Sequence, residues 1–369
     1  MKQVGAERVE RLSALVAERG LDRLLVGDLV RPGDSDRSGM ANLRYLTGFG
    51  GTSGLCVVGE GEPLFVTDFR YTERAGREVP DAFEQVRAES RLLPAAAERL
   101  GGRVGYDDAN TSVRTLRRLE ELVPDGTELV PAAGLVEDLR RVKEPAELAA
   151  ISEAQRLTEE VYGWIVSQGL VGRNEREVAL GAERRMVELG AEGPSFPVIV
   201  AAGDSGALPH AEAGEREIAS GELVVIDMGA MVDGYCSDCT RTFATGELDT
   251  GAREVYELVL EAQRAGLDAV HAGADGRAVD AVARDLIAAA GHGDEFGHGL
   301  GHGVGIEVHE APRLAKTSDD ELVAGDVVTV EPGVYVGGRF GVRIEDMVNV
   351  EDDGCRNLAT YAKELQVVG

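Results

Sequence analysis

Lysine is the scarcest charged residue in this chain: only Lys2, Lys143, Lys316 and Lys363 occur in 369 residues. Arginine supplies nearly all the positive charge, and 66 acidic against 38 basic residues leave a formal charge of −28. Such a surface repels phosphate, which argues against nucleic acid and anionic membranes as partners. The acid excess suits a salt-rich, halophilic cytoplasm, where ionic strength screens self-repulsion. Cysteine is also sparse, at four residues. Cys56, Cys236, Cys239 and Cys355 are too few and too scattered for a disulfide framework. Cys236 and Cys239 form a CxxC with no second pair, and strand alternation turns their thiols apart. Nowhere do 18 apolar residues run together, and the N-terminal MKQVGAERVERLSALVAERG is charged and amphipathic. The expectation is a cytoplasmic protein with no targeting segment. No internal repeat stands out.

What the chain does have is a set of possible metal ligands in its C-terminal half: Asp227, Asp238, His302, Glu331 and Glu345. Four acids and one imidazole suit two divalent cations. Asp227 and Asp238 lie in ELVVIDMGAMVDGYCSDCTRTF, two alternating runs around an Asp233-Gly234 turn, the signature of a β-hairpin. With Asp233 and Gly234 as a two-residue loop, Gly229 faces Asp238 and Asp227 faces Thr240. Period-two alternation then puts Asp227, Asp238 and Thr240 on one face. Two carboxylates that close are costly unless a cation lies between them.

Glu331 and Glu345 lie in DVVTVEPGVYVGGRFGVRIEDMV, again two strands around a glycine turn. A two-residue loop at Gly337-Gly338 would place the two acids on opposite faces, so a shared site requires a three-residue loop or a bulge. His302 belongs to FGHGLGHGVGIEVHEAPRL, where glycines between histidines let backbone approach a ligand closely. His302 is the chosen ligand, with His298 and His309 left for supporting or substrate contacts.

The segments IDMGAMVDGYCSDCTRTF, GHGLGHGVGIEVHEAPRL, VTVEPGVYV and GVRIED resemble the metal-binding segments of the pita-bread metallopeptidases (M24), the group of methionine aminopeptidase, aminopeptidase P and prolidase. PSFPVIVAAGDSGALPHAE resembles the substrate-side segment of the proline-specific members. The resemblance implies that Asp227 chelates one metal, Asp238 and Glu345 bridge both, and His302 and Glu331 complete the other. It implies metal-assisted hydrolysis by a bridging hydroxide, with His210 and His309 donating to the oxyanion and Glu331 shuttling a proton to the leaving amine. Arg343 and Tyr235 flank ligands and are expected to orient them or to donate to the oxyanion. His298 and Arg313 join the substrate contacts, Arg313 resembling an arginine that in prolidases pairs with a dipeptide carboxylate. The nitrogen before proline carries no hydrogen in the peptide, so a dedicated pocket for the ring is needed. Phe196, Pro197 and Leu208 are its candidates. Oxygen-rich ligation with one imidazole suits Mn2+, and Co2+ or Zn2+ also bind such a set.

Length and 43% hydrophobic content point to two domains. Residues 1–133 read as an α/β unit: an amphipathic helix through Val9, Leu12, Leu15 and Val16, then the apolar runs LDRLLVGD, NLRYLTGF and GLCVVGEGEPLFVTD. It is similar to the creatinase/prolidase N-terminal domain that the proline-specific members carry. Residues 134–145 read as a linker into a long helix near Pro145, and 146–369 as the pita-bread domain, a curved antiparallel sheet backed by helices. The polar loop 31–40, with Asp34, Asp36 and Arg37, is the segment that leans toward a partner's active site in dimeric relatives, and the resemblance implies a homodimer. The expected activity is that of an Xaa-Pro dipeptidase or Xaa-Pro aminopeptidase acting on proline-containing peptides. A metal-free creatinase-like hydrolase or a non-catalytic pita-bread binding module would not need the full ligand set.

Overall fold

A computed structural model describes residues 2–27, 29 and 38–369. The chain divides into two compact units, Met1–Arg140 and Arg141–Gly369. The division follows burial. Helix Leu135–Arg141 occupies most of the stretch read as a linker, and its Leu135, Val136 and Leu139 are buried. Of the stretch 31–40 read as a loop, residues 31–37, with Asp34, Asp36 and Arg37, lie outside the described residues, and Ser38 opens helix Ser38–Thr47.

The N-terminal unit is built on six strands: β1 (Arg23–Gly27), β2 (Gly54–Gly59), β3 (Leu64–Thr67), β4 (Glu84–Arg87), β5 (Arg103–Tyr106) and β6 (Glu128–Pro131). They lie in the order β4-β3-β2-β1-β5-β6. β1 and β2 pair antiparallel, as do β2 and β3, while the outer pairings are parallel. Leu25, Leu55, Val57, Val66 and Val104 pack into one apolar cluster against the sheet. The NLRYLT run belongs to helix Ser38–Thr47.

In the second unit the strands pair antiparallel, and a single parallel bridge joins Ala244 to Val367. The first strands are β7 (Gly193–Pro194), β8 (Ile199–Ala202), β9 (Leu223–Met228), β10 (Ala230–Val232), β11 (Tyr235–Cys236) and β12 (Cys239–Ala244). The register is the one the hairpin arithmetic predicts: Val232 faces Tyr235 and Asp227 faces Thr240. The turn forms because Asp233 and Gly234 both take positive φ, 49° and 76°, as a type I′ loop demands. Gly229, between β9 and β10, is needed for close approach, since a Cβ there would sit 1.8 Å from the Ser237 carbonyl oxygen.

The later strands are β13 (Gly301–Gly303), β14 (Glu310–Leu314), β15 (Val327–Val330), β16 (Gly333–Val336), β17 (Phe340–Arg343), β18 (Asp346–Glu351) and β19 (Gly354–Asn357). The loop between β16 and β17 has three residues, Gly337 to Arg339, because Val336 faces Phe340. Val330 likewise faces Asp346 across β15 and β18. Both pairings share one register, so Glu331 and Glu345 come level in the gap between the two ladders.

Four helices, Pro145–Gln168, Glu175–Glu188, Thr250–Asp268 and Gly276–Ala289, flank these strands. The first begins with Pro145 at its first turn and a reciprocal capping box between Glu144 and Glu147. Its Leu157, Val161 and Ile165 bury against Val200, Val224 and Ile226 of the sheet. The other long helix, Thr250–Asp268, lays Val255, Val259 and Leu260 on Val328, Val330 and Val348. These two apolar layers hold from behind the strand ends that carry the acids.

Candidate metal centre

Each proposed ligand sits at a strand end or beside a bulge, where a side chain can leave the sheet face. Asp227 is on β9, Asp238 just precedes β12, His302 is central in β13, Glu331 follows β15 and Glu345 precedes β18. Asp238, His302 and Glu345 each offer a ligand atom within 4.8 Å of the other two. His302 Nε2 lies 3.6 Å from Asp238 Oδ2 and 3.3 Å from Glu331 Oε1. Asp227 is bound to the cluster through Arg343, whose Nη2 reaches its Oδ2 at 2.5 Å. All five line one cavity of about 1110 Å³.

The electrostatics are those of crowded acids out of water. Burial, followed by the charges of Glu345 and Asp227, holds the Asp238 carboxyl well above its usual range. Burial and then Glu331 and Asp227 do the same to Glu345, and burial raises Asp227 despite Arg343. Glu331 goes the other way: burial opposes its ionisation, but the hydrogen bond and charge of His302 bring it to about 2. His302 is raised in turn, the Glu331 hydrogen bond and charge outweighing burial.

Two carboxylate oxygens in this cluster, Asp227 Oδ1 and Glu345 Oε1, are buried without a hydrogen-bond partner. Leaving such atoms unmatched costs about 1–3 kcal/mol each, and more when charged. A set of four carboxylates and one imidazole with unspent lone pairs fits divalent cations that prefer oxygen donors.

Arg343 lines the cavity with its guanidinium engaged on several sides. Its Nε donates to Thr240 Oγ1 at 3.0 Å, its Nη1 to Tyr335 Oη at 2.8 Å and to the Pro209 carbonyl at 3.3 Å, and its Nη2 to Asp227. Thr240 Oγ1 donates onward to Glu345 Oε2 at 2.7 Å. One guanidinium thus ties two of the acids together, Asp227 directly and Glu345 through Thr240.

His298 lines the cavity, and both of its ring nitrogens have partners within the protein. Nδ1 lies 2.8 Å from the Gly299 carbonyl, which only accepts, so Nδ1 carries the proton. Nε2 then accepts from the Tyr335 hydroxyl at 2.9 Å, and burial keeps the ring below the usual histidine range. Tyr235 departs from expectation. Its hydroxyl donates to Glu147 at 2.8 Å, and it is absent from the cavity wall. A strand residue two places from Asp233 reaches the helix behind the sheet rather than the acids in front of it.

His210, His309 and Arg313 do line the cavity. The His309 ring stands edge-on to His302 with centroids 4.3 Å apart, and burial followed by the His302 charge lowers it. Phe196 and Pro197 also line the cavity, whereas Leu208 is exposed outside it. The glycines of the histidine segment serve strand packing: a Cβ on Gly301 would sit 1.9 Å from the Thr329 carbonyl oxygen. Cys236 and Cys239 face different partners, the carbonyls of Ile306 and Glu345. Sequence reasoning did not pick out Tyr335, Lys143 or Glu310. Tyr335 shares the parity of Glu331 along VEPGVYV, which is the signal that could have found it.

Residues 149–352 match the model of metallopeptidase family M24, and residues 8–142 match the creatinase/prolidase N-terminal domain. The chain belongs to metallopeptidase family M24. It is 33% identical over 377 residues to an Xaa-Pro dipeptidase of Pyrococcus furiosus, covering 97% of this chain and 99% of the relative. Among solved structures, an Xaa-Pro dipeptidase from Bacillus anthracis is similar at a TM-score of 0.92 and 37% identity, with 99% of this chain and 100% of that one covered. An X-Pro aminopeptidase from Thermotoga maritima is similar at a TM-score of 0.88 and 34% identity, covering 98% and 100%. This peptidase thus has the two-domain build of its proline-directed relatives along its full length. No helix among its described residues is long and apolar enough to cross a membrane.

Proposed function

We propose that this peptidase is an Xaa-Pro dipeptidase that works with two divalent cations held by Asp227, Asp238, His302, Glu331 and Glu345. The observation that carries the reading is the convergence of these five side chains in one cavity with two carboxylate oxygens unmatched. Bound there, divalent cations supply Lewis acidity, polarising a carbonyl and acidifying water. The chain's own groups do the rest. His309 and His210 face the cavity and donate to the carbonyl oxygen as negative charge develops on it. Glu331, ionised in this cluster, takes a proton from the attacking water and passes it to the proline nitrogen, which must be protonated to leave as an amine. Arg343 holds Asp227 and, through Thr240, Glu345. Phe196 offers an apolar wall for the ring, and Arg313 offers its guanidinium to the free carboxylate of a dipeptide.

The oxygen-rich donor set supports Mn2+ as the working ion. The charge of −28 supports a salt-rich cytoplasm. The implied homodimer is checked by light scattering in high salt. The deciding experiment compares an Xaa-Pro dipeptide with an Xaa-Pro-Xaa tripeptide, using chelated enzyme before and after Mn2+ is added. Ion-dependent cleavage of the dipeptide is the expected result. Preference for the tripeptide would make the protein an aminopeptidase, and cleavage of neither would refute the reading.

A further inference from the structure

Lys143 is one of four lysines in a chain that otherwise uses arginine, and its side chain is only 1% exposed. Its ammonium donates to Glu310 Oε1 at 2.6 Å and to the Arg141 carbonyl at 3.2 Å. The root of the side chain is clamped on both sides. The Lys143 amide donates to the Gly325 carbonyl, Arg141 pairs with Asp326 at 2.9 Å, and Glu144 caps helix Pro145–Gln168. A charge this far from water requires a specific partner, and here the partner lies in the wall of the substrate cavity.

That wall needs an anchor. Glu310 opens β14, follows His309 and shares the strand with Arg313. The ladder to β13 is broken at this point: His302 faces Arg313 while Gly303 faces Glu310, so Ala311 and Pro312 bulge out of register. Strand pairing therefore does not by itself fix the His309 end of β14. The Glu310 carboxylate instead rests against Gly305, where a Cβ would come within 2.2 Å of its Oε1.

We propose that Lys143 is a positioning residue: its enclosed ammonium fixes the Glu310 carboxylate and thereby the His309–Arg313 wall against which substrate is held. The functional part of the proposal rests on the dipeptidase reading above. The ammonium suits the slot as a compact point charge on a slim stem, where a planar guanidinium fork would be wider.

The test uses the full chain loaded with Mn2+. Lys143→Met is expected to raise the dipeptide KM by ~10-fold or more, in the range typical when a supporting contact is lost, while kcat falls much less and Mn2+ affinity stays at the wild-type value. Amide hydrogen exchange is expected to speed up across residues 310–314 and to stay unchanged across 223–232. A second variant, Lys143→Met with Glu310→Met, removes the charge pair and restores an apolar fit, so its melting temperature recovers. Under the proposal its KM stays high. Recovery of KM along with stability would show a purely structural pair and overturn the proposal, as would unchanged KM and exchange in a folded Lys143→Met. If the wild-type enzyme cleaves no Xaa-Pro peptide, the dipeptidase reading fails separately, and the exchange pattern at 310–314 still decides whether Lys143 anchors the wall.

Discussion

In the N-terminal unit Arg99 meets Glu84, and Arg103 meets Glu128, with about half of each side chain in solvent. In the second unit Arg343 meets Asp227, and Arg241 meets Asp346, almost wholly out of it. Exposed pairs contribute little, so the first unit rests on its apolar cluster around Leu25 and Val66. Buried charges cost desolvation that pairing only partly returns, and a fold carries them where something other than stability is at stake. Here that place is the strand ends around the acids. Arg241 is an example: it donates to the carbonyls of Thr240 and Glu345, so a fully buried cation ties together the backbones of two strands that line the site.

Four tests break or sharpen this contrast. The largest effect is expected at the acids themselves. Asp238→Ala or Glu345→Ala should cut turnover far beyond the ~10–100-fold typical of losing a supporting contact, without lowering the melting temperature of the chelated protein. Full activity in either variant would sink the two-cation assignment. Next comes Arg343→Met, which strands Asp227. Urea unfolding of the chelated protein should show a loss of about 3–5 kcal/mol, while Arg118→Met in the N-terminal unit, at an exposed pair with Glu121, should leave the midpoint where it was. Equal effects at the two positions would erase the contrast.

Arg313→Ala tests an exposed charge in the catalytic unit. It should leave stability unchanged and raise KM for Xaa-Pro dipeptides by ~10-fold, with little effect on longer peptides. An equal rise for both substrates removes it as the carboxylate anchor. The smallest effect belongs to Asp68, held at about 2 first by its hydrogen bond with Arg70. A carboxylate lowered in the folded state stabilises at neutral pH and loses that contribution as pH falls from about 4 toward 2. Asp68→Asn should lower the stability plateau above pH ~4 slightly and flatten the fall between about 4 and 2.

The residues that were legible are those whose neighbours in sequence are also their neighbours in space. The Asp233-Gly234 turn ties Asp227 to Thr240 by counting alone, and the structure keeps that register. The requirement for a three-residue loop between Glu331 and Glu345 followed from parity, and Gly337 to Arg339 supply it. The partners of His298 and Tyr235, which are Tyr335 and Glu147, lie 37 and 88 residues away, and no local pattern names them. Lys143 and Glu310 were missed for the same reason, being 167 residues apart. The stretch 134–145 holds the short helix Leu135–Arg141, whose charged letters hide a buried apolar side.

The turn from Gly337 to Arg339 holds the acids by phase rather than by contact. A slip of β16 against β17 by one residue would swing every side chain of one strand to the other face. Glu331 and Glu345 could then no longer be level. A shorter or longer turn that keeps Val336 opposite Phe340 leaves them level. Loop-length variants scored for cation uptake should therefore separate by whether that pairing survives, not by how many residues the turn holds.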